Sequence, residues 1–223
     1  MYAVTAQNRV SADPAGFSFF RWGEVGVGLL EAPLESVAGA EGLSEKERAL
    51  FEVLPGYRQP EWLRGRRVCK QVARDLLGLE CAPRHVEVLP GPQSEPRLHV
   101  LEGARPLEVS LAHARGLSVA AVAPRGRVGV DVEPEAPIAE RLWHLFLSPA
   151  ERARCEREPG LASRLWLLKE ALYKALRPPS PLPLRALEPE LGEGVLWLRQ
   201  PVAQRFAFTF LARGNHLLAL VCS

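Results

Sequence analysis

Three groups of residues combine types and spacings that suit chemistry. The first is Val128-Gly129-Val130-Asp131-Val132-Glu133. In an extended segment, residues two apart share a face and lie about 6.5 to 7 Å from one another along the chain. Gly129, Asp131 and Glu133 then oppose the valines. Two neighbouring carboxylates repel unless a cation neutralises them, and hard oxygen ligands suit magnesium, which takes one or two carboxylates plus substrate phosphates. The same alternation also suits a solvated edge strand, and an Asp-x-Glu pair alone is a weak signal.

The second group is Trp166-Leu167-Leu168-Lys169-Glu170-Ala171-Leu172-Tyr173-Lys174. If Leu165, Leu168, Leu172 and Leu176 line a core, Trp166, Glu170 and Lys174 follow at i, i+4 on an adjacent stripe. A carboxylate and an ammonium then point the same way. An ordinary surface pair of this kind contributes only about 0.3 to 0.5 kcal/mol. What favours chemistry is the combination, because an acidic strand end followed by a helix offering another carboxylate and a cation is what a metal-bridged pyrophosphate requires. The third group is His113 in Ser110-Leu111-Ala112-His113-Ala114, at an expected strand end where an imidazole can donate to a phosphate, together with the basic residues at 58, 64, 66, 67, 70 and 74. A lone histidine and a basic helix face are more often structural and solvated, respectively. No GxSxG, Walker A or dinucleotide fingerprint occurs, and histidines 85, 99, 144 and 216 show no ligand spacing.

The elements that position these groups are legible from periodicity. Residues 17 to 34 suit one or two short strands. Ser44 and Glu47 form a capping-box pattern that opens a helix over 43 to 54. Cys69, Val72, Leu76 and Leu79 predict a second helix from about Glu61 to Leu79. Alternation predicts strands over 85–89 and 97–101, then three more within LEVSLAHA, LSVAAVAP and RVGVDVEP. Ser148, Pro149 and Glu151 open another capped helix running to about Glu158. Leu161, Leu165, Leu168, Leu172 and Leu176 define the next helix, ended by Pro178-Pro179. GVLWLR, FAFTFLA and HLLALVC close the chain as strands. The expected class is α+β, with two similar subdomains, 1–103 and 104–223, each a small, mostly antiparallel sheet packed with helices. A pseudo-twofold relation, with the active site in the cleft between the two, is the expected arrangement.

Composition narrows the partners. The chain has 223 residues, of which 47% are hydrophobic and 24% charged, as an ordinary globular protein requires. A formal net charge of +2 lacks the cationic surplus of a general nucleic-acid binder, so no nucleic acid is expected and any anion site is local. The four scattered cysteines form neither a metal-finger spacing nor a disulfide framework, which suits a cytoplasmic protein. No leader and no membrane span are expected, since no uncharged run approaches bilayer length.

GVDVE (129–133) and WLLKEALYK (166–174) resemble the G-(I/V)-D-(I/V)-E and W-x-x-K-E-A-x-x-K motifs of the 4′-phosphopantetheinyl transferase superfamily, in its longer, two-half Sfp-type form. LSEKE at 43, the helix with Arg66 and Lys70, SLAHA at 110–114 and FLSPAE at 146–151 extend the resemblance over about Leu43 to Leu176. The resemblance implies transfer of the 4′-phosphopantetheine arm of coenzyme A to a serine of an apo acyl- or peptidyl-carrier protein, releasing adenosine 3′,5′-bisphosphate. It implies Mg²⁺ held by Asp131, Glu133 and Glu170. Lys174 would assist departure of the leaving group, and Glu170, directly or through a water, would act as base. His113, Arg66, Lys70, Arg97 and Lys169 would contact coenzyme A, and a monomer is expected. Ser94-Glu95-Pro96 stands where the family has Gly-Lys-Pro, and Ala112 and Ala114 replace serines beside the histidine. Two other readings stay open: a noncatalytic homologue that binds a carrier or nucleotide, and a metal-dependent hydrolase of pyrophosphate or phosphodiester bonds.

Overall fold

The computed structural model describes residues 9–12, 16–31, 40–101, 107–158, 160–199 and 203–223. The chain divides into two compact units, Ala6–Val128 and Gly129–Ser223. Both are α+β.

In the first unit the strands are β1 (Arg9–Ala12), β2 (Phe17–Trp22) and β3 (Val25–Glu31), followed by the helices α1 (Glu45–Glu52) and α2 (Gln59–Leu77), the hairpin β4 (Val86–Pro90) and β5 (Pro96–Val100), and β6 (Glu108–Ala114) with β7 (Leu117–Ala123). The main sheet has the order β1-β2-β3-β7-β6, and β4-β5 forms a two-stranded sheet. Helix α2 lays Val68, Cys69, Val72, Ala73 and Leu76 on Phe17, Phe19, Val109, Ala120 and Val122, with Val86, Val88 and Leu98 completing the core. The three-and-four spacing of those α2 residues is what produces this face.

The second unit holds β8 (Val128–Pro134), α3 (Trp143–Phe146), α4 (Pro149–Cys155), α5 (Leu161–Leu176), β9 (Pro189–Leu191), β10 (Val195–Leu198), β11 (Gln204–Arg213) and β12 (His216–Cys222). Its sheet has the order β8-β12-β11-β10-β9. Leu168, Ala171, Leu172 and Ala175 of α5 pack on Leu196, Leu198, Phe206, Phe208, Ala219 and Val221. Each fully buried leucine there contributes roughly 1.5–3 kcal/mol. Phe146, Leu147, Cys155, Leu161, Ala162 and Leu165 tie α3, α4 and the start of α5 into a second cluster. Among the described residues no helix is long and apolar enough to cross a membrane.

Both capping boxes form as the sequence indicates: Ser44 accepts from the Glu47 N–H while Glu47 accepts from the Ser44 N–H, and Ser148 and Glu151 do the same. Two features differ from the sequence reading. The division falls between Val128 and Gly129 rather than near Gly103, because β7 pairs with β3 (Leu29 with Val119, Val27 with Ala121) and carries β6 into the first unit's sheet. The strand run from LEVSLAHA to LSVAAVAP is visible in the sequence, but its partner 90 residues upstream is not. The helix opened by Pro149 ends at Cys155, short of Glu158.

Candidate active site

Strand β8 and helix α5 meet at Gly129. A Cβ on Gly129 would lie 1.8 Å from the Ala171 carbonyl oxygen, so only glycine admits main chain against main chain here. That contact brings the end of β8 beside the Glu170–Lys174 turn of α5. Lys174 Nζ donates to Asp131 Oδ1 at 2.7 Å and to the Val130 carbonyl at 3.1 Å. Asp131 is 8% exposed, and its Oδ2 is buried without a hydrogen-bond partner. Glu133, at the exposed end of the strand, accepts from Trp166 Nε1 at a long 3.4 Å. The Trp166 ring is held edge-on by Phe146, with centroids 5.1 Å apart.

Asp131 and Glu133 lie close enough to Glu170 for their charges to act on it. Burial pushes the Glu170 carboxyl above its ordinary value, the charges of Asp131 and Glu133 push it further, and Lys174 opposes them. Burial likewise raises Asp131 despite its ion pair with Lys174. Both shifts come from desolvated negative charge lacking full compensation. The donor set therefore fits a hard divalent cation: three carboxylates, one with an orphaned buried oxygen, beside a single ammonium. Among the described residues no group of three His, Cys, Asp or Glu side chains is placed to hold a metal ion by itself. The set suits an ion that keeps water and ligand oxygens in its shell, as magnesium does.

Lys169 and Lys70, read from the sequence as coenzyme A contacts, lie elsewhere. Lys169 is 0% exposed and its Nζ donates to Glu151 Oε2 at 2.5 Å and to the Phe146 carbonyl at 2.8 Å. Lys70 is 3% exposed and donates to Glu47 Oε2 at 2.5 Å and to the carbonyls of Gly42 and Pro83 at 2.7 and 3.2 Å, which occupies all three of its N–H bonds. Burial lowers both lysines from their ordinary values while the partner glutamates raise them. Both lysines are structural latches rather than phosphate ligands. In each unit the carboxylate that caps a short helix also pairs with a buried lysine of the unit's longest helix. The sequence signal was present, since both lysines fall in phase with core residues (Lys169 four after Leu165, Lys70 three before Ala73), where an ammonium needs a buried acid.

Arg97 is held by Glu95, which accepts from its Nε at 2.9 Å and Nη2 at 2.7 Å. Glu95, the acid that stands where the family has a lysine, thus occupies Arg97, one of the coenzyme A contacts that the resemblance implies. Arg66 lies over the Trp62 ring at 3.8 Å, and its buried Nε has no hydrogen-bond partner. His113 Nδ1 is 2.7 Å from Ser118 Oγ, a neighbour not singled out by the sequence reading.

Residues 127–219 match the family model described as the 4′-phosphopantetheinyl transferase superfamily. Curated proteins give no match. Among solved structures, the holo-[acyl-carrier-protein] synthase of Thermotoga maritima is similar, with 26% identity over 56% of this chain and 74% of that one, at a TM-score of 0.37. The matched segment 127–219 carries Asp131, Glu133, Glu170 and Lys174, the residues of the β8–α5 junction.

Proposed function

We propose that the protein transfers the 4′-phosphopantetheine arm of coenzyme A to a serine hydroxyl of an apo acyl- or peptidyl-carrier protein, with Mg²⁺ as cofactor and adenosine 3′,5′-bisphosphate as the leaving product. The observation that carries this reading is the junction of β8 and α5, where a half-satisfied Asp131 sits beside Glu170, Glu133 and Lys174 within the matched segment. Asp131, Glu133 and Glu170 would hold the cation, which supplies charge neutralisation at the pyrophosphate and the departing oxygen.

The chain's own groups divide the remaining work. Two of the three Lys174 N–H bonds go to Asp131 and Val130, and the third would serve a phosphate oxygen. Glu170, with its basicity raised by burial and neighbouring carboxylates, accepts the serine proton as the hydroxyl oxygen bonds to the pantetheine-side phosphorus and the bridging P–O bond breaks. His113 and Arg66, in the first unit, are the residues we assign to coenzyme A phosphates. Lys70 and Lys169 are excluded by their buried pairs.

The test is mass spectrometry of an apo-carrier incubated with the protein, coenzyme A and Mg²⁺. A gain of about 340 Da on the carrier, the mass of the transferred arm, is expected. Coenzyme A cleaved without carrier labelling would instead identify a hydrolase, and both left intact would identify a binding protein.

A further inference from the structure

We propose that Ser118 is a positioning residue that holds His113 in its Nε2–H tautomer, so that the imidazole is a neutral N–H donor toward an anionic oxygen. The strand register sets the pair: His113 of β6 lies directly opposite Ser118 of β7. Ser118 is fully buried, and its hydroxyl contacts two side-chain atoms, Arg64 Nε at 2.6 Å and His113 Nδ1 at 2.7 Å. A guanidinium N–H only donates, so Arg64 occupies a lone pair of the hydroxyl. Among the described residues, the acceptor in reach of the hydroxyl proton is then Nδ1. A neutral ring that accepts at Nδ1 carries its proton at Nε2. The opposite tautomer would direct two donors at the same oxygen and strand the serine proton in the interior, a disadvantage of about tenfold or more in population.

Helix α2 contributes a second constraint. A Cβ on Gly65 would lie 2.9 Å from His113 Cε1 and 3.1 Å from Nε2, so the ring edge rests against the helix backbone where any larger residue would displace it. A glycine in the interior of a 19-residue helix is otherwise unfavourable, and this contact accounts for it. Arg64 and Gly65 are adjacent in sequence, so one turn of α2 supplies both the donor that orients Ser118 and the space for the ring. The ligand chemistry is that of a phosphate oxygen. Its assignment to coenzyme A rests on the proposed function, whereas the tautomer does not.

The experiment is ¹⁵N NMR of the histidine side chains in the full-length protein at about pH 8, where an ordinary imidazole is neutral, with His113 identified by its loss in His113→Gln. The expected wild-type spectrum shows Nδ1 unprotonated and Nε2 protonated. Ser118→Ala mixes the two tautomers, while Ser118→Thr, which keeps a hydroxyl, retains the wild-type pattern. Backbone amide spectra of the variants report that the sheet persists. A protonated Nδ1 in the wild type, or an unchanged tautomer in Ser118→Ala, overturns the proposal. Because these spectra need no coenzyme A, they are decided whether or not transfer occurs. With an active carrier assay, Ser118→Ala is expected to raise the KM for coenzyme A about tenfold with a smaller change in kcat, since a ground-state phosphate contact acts chiefly on binding. An unchanged KM overturns the positioning role.

Discussion

Lys174 Nζ sits 2.7 Å from one oxygen of Asp131 and leaves the other buried with no partner. One ammonium therefore faces three carboxylates, and the ionised cluster holds an excess of two negative charges in a partly desolvated place. That excess remains after the ammonium is counted, and it matches the charge of one divalent ion.

Without divalent cations, stability should fall as pH rises from the ordinary values of Asp131 and Glu170, 3.8 and 4.5, through their raised values in the fold. The sign follows from linkage: an acid whose pKa is raised by folding binds more protons folded than unfolded in that window, so deprotonation favours unfolding. Above it the penalty persists. Millimolar Mg²⁺ is expected to raise the melting temperature more at about pH 7.5 than at about pH 5, and Asp131→Asn to remove most of the rise. A shift that is equal at both pH values and survives the substitution would contradict a cation at these carboxylates.

Glu170→Gln is expected to lower kcat for carrier labelling by about 10² to 10⁴, the range lost with a general base. Its melting temperature without metal should equal or exceed that of the wild type, because an amide relieves repulsion from Asp131 and Glu133. Carrier mass spectra and thermal unfolding on one preparation check both parts.

Gly129→Ala places a methyl carbon where the Ala171 carbonyl oxygen lies 1.8 Å away. The backbone must separate, at a cost of about 1–3 kcal/mol or more, read as a lower urea midpoint. Transfer should fall with it, since the carboxylates of β8 and α5 move apart. An unaltered midpoint would mean the two elements approach less closely than described.

Lys169→Met should destabilise by about 3–5 kcal/mol by leaving Glu151 buried without its cation. Adding Glu151→Gln, which can still cap α4, should recover much of that loss and restore transfer. Recovery of turnover in the double variant distinguishes a latch from a phosphate ligand, because a missing phosphate contact would stay missing.

How much of this was legible follows from the range of the interactions. Asp131 with Glu133, and Glu170 with Lys174, are set by spacings of two and four residues, so alternation and helical phase place each pair on one face without tertiary information. The leucine row over 161–176 gives α5 its bounds in the same way. Lys70 and Lys169 are less legible, because a cationic side chain on a helix beside a candidate site suggests a ligand contact, whereas their ion pairs depend on Glu47, 23 residues away, and Glu151, 18 residues away. The pairing of β7 with β3 is similarly non-local, which is why Gly103 looked like a boundary and Val128 did not. Ser118 is not legible, because a serine in an apolar strand has no pattern until its cross-strand neighbour is known.

The two lysine–glutamate latches have a consequence at long range. Each is a closed, neutral pair beneath the surface, so neither projects a field into solvent, and the cations of α2 available to attract a distant polyanion reduce to its solvent-facing arginines, Arg67 foremost. Capture of an acidic partner from solution thus depends on a thinner positive rim than the count of basic residues suggests, and the ionic-strength dependence of the encounter rate should be correspondingly shallow.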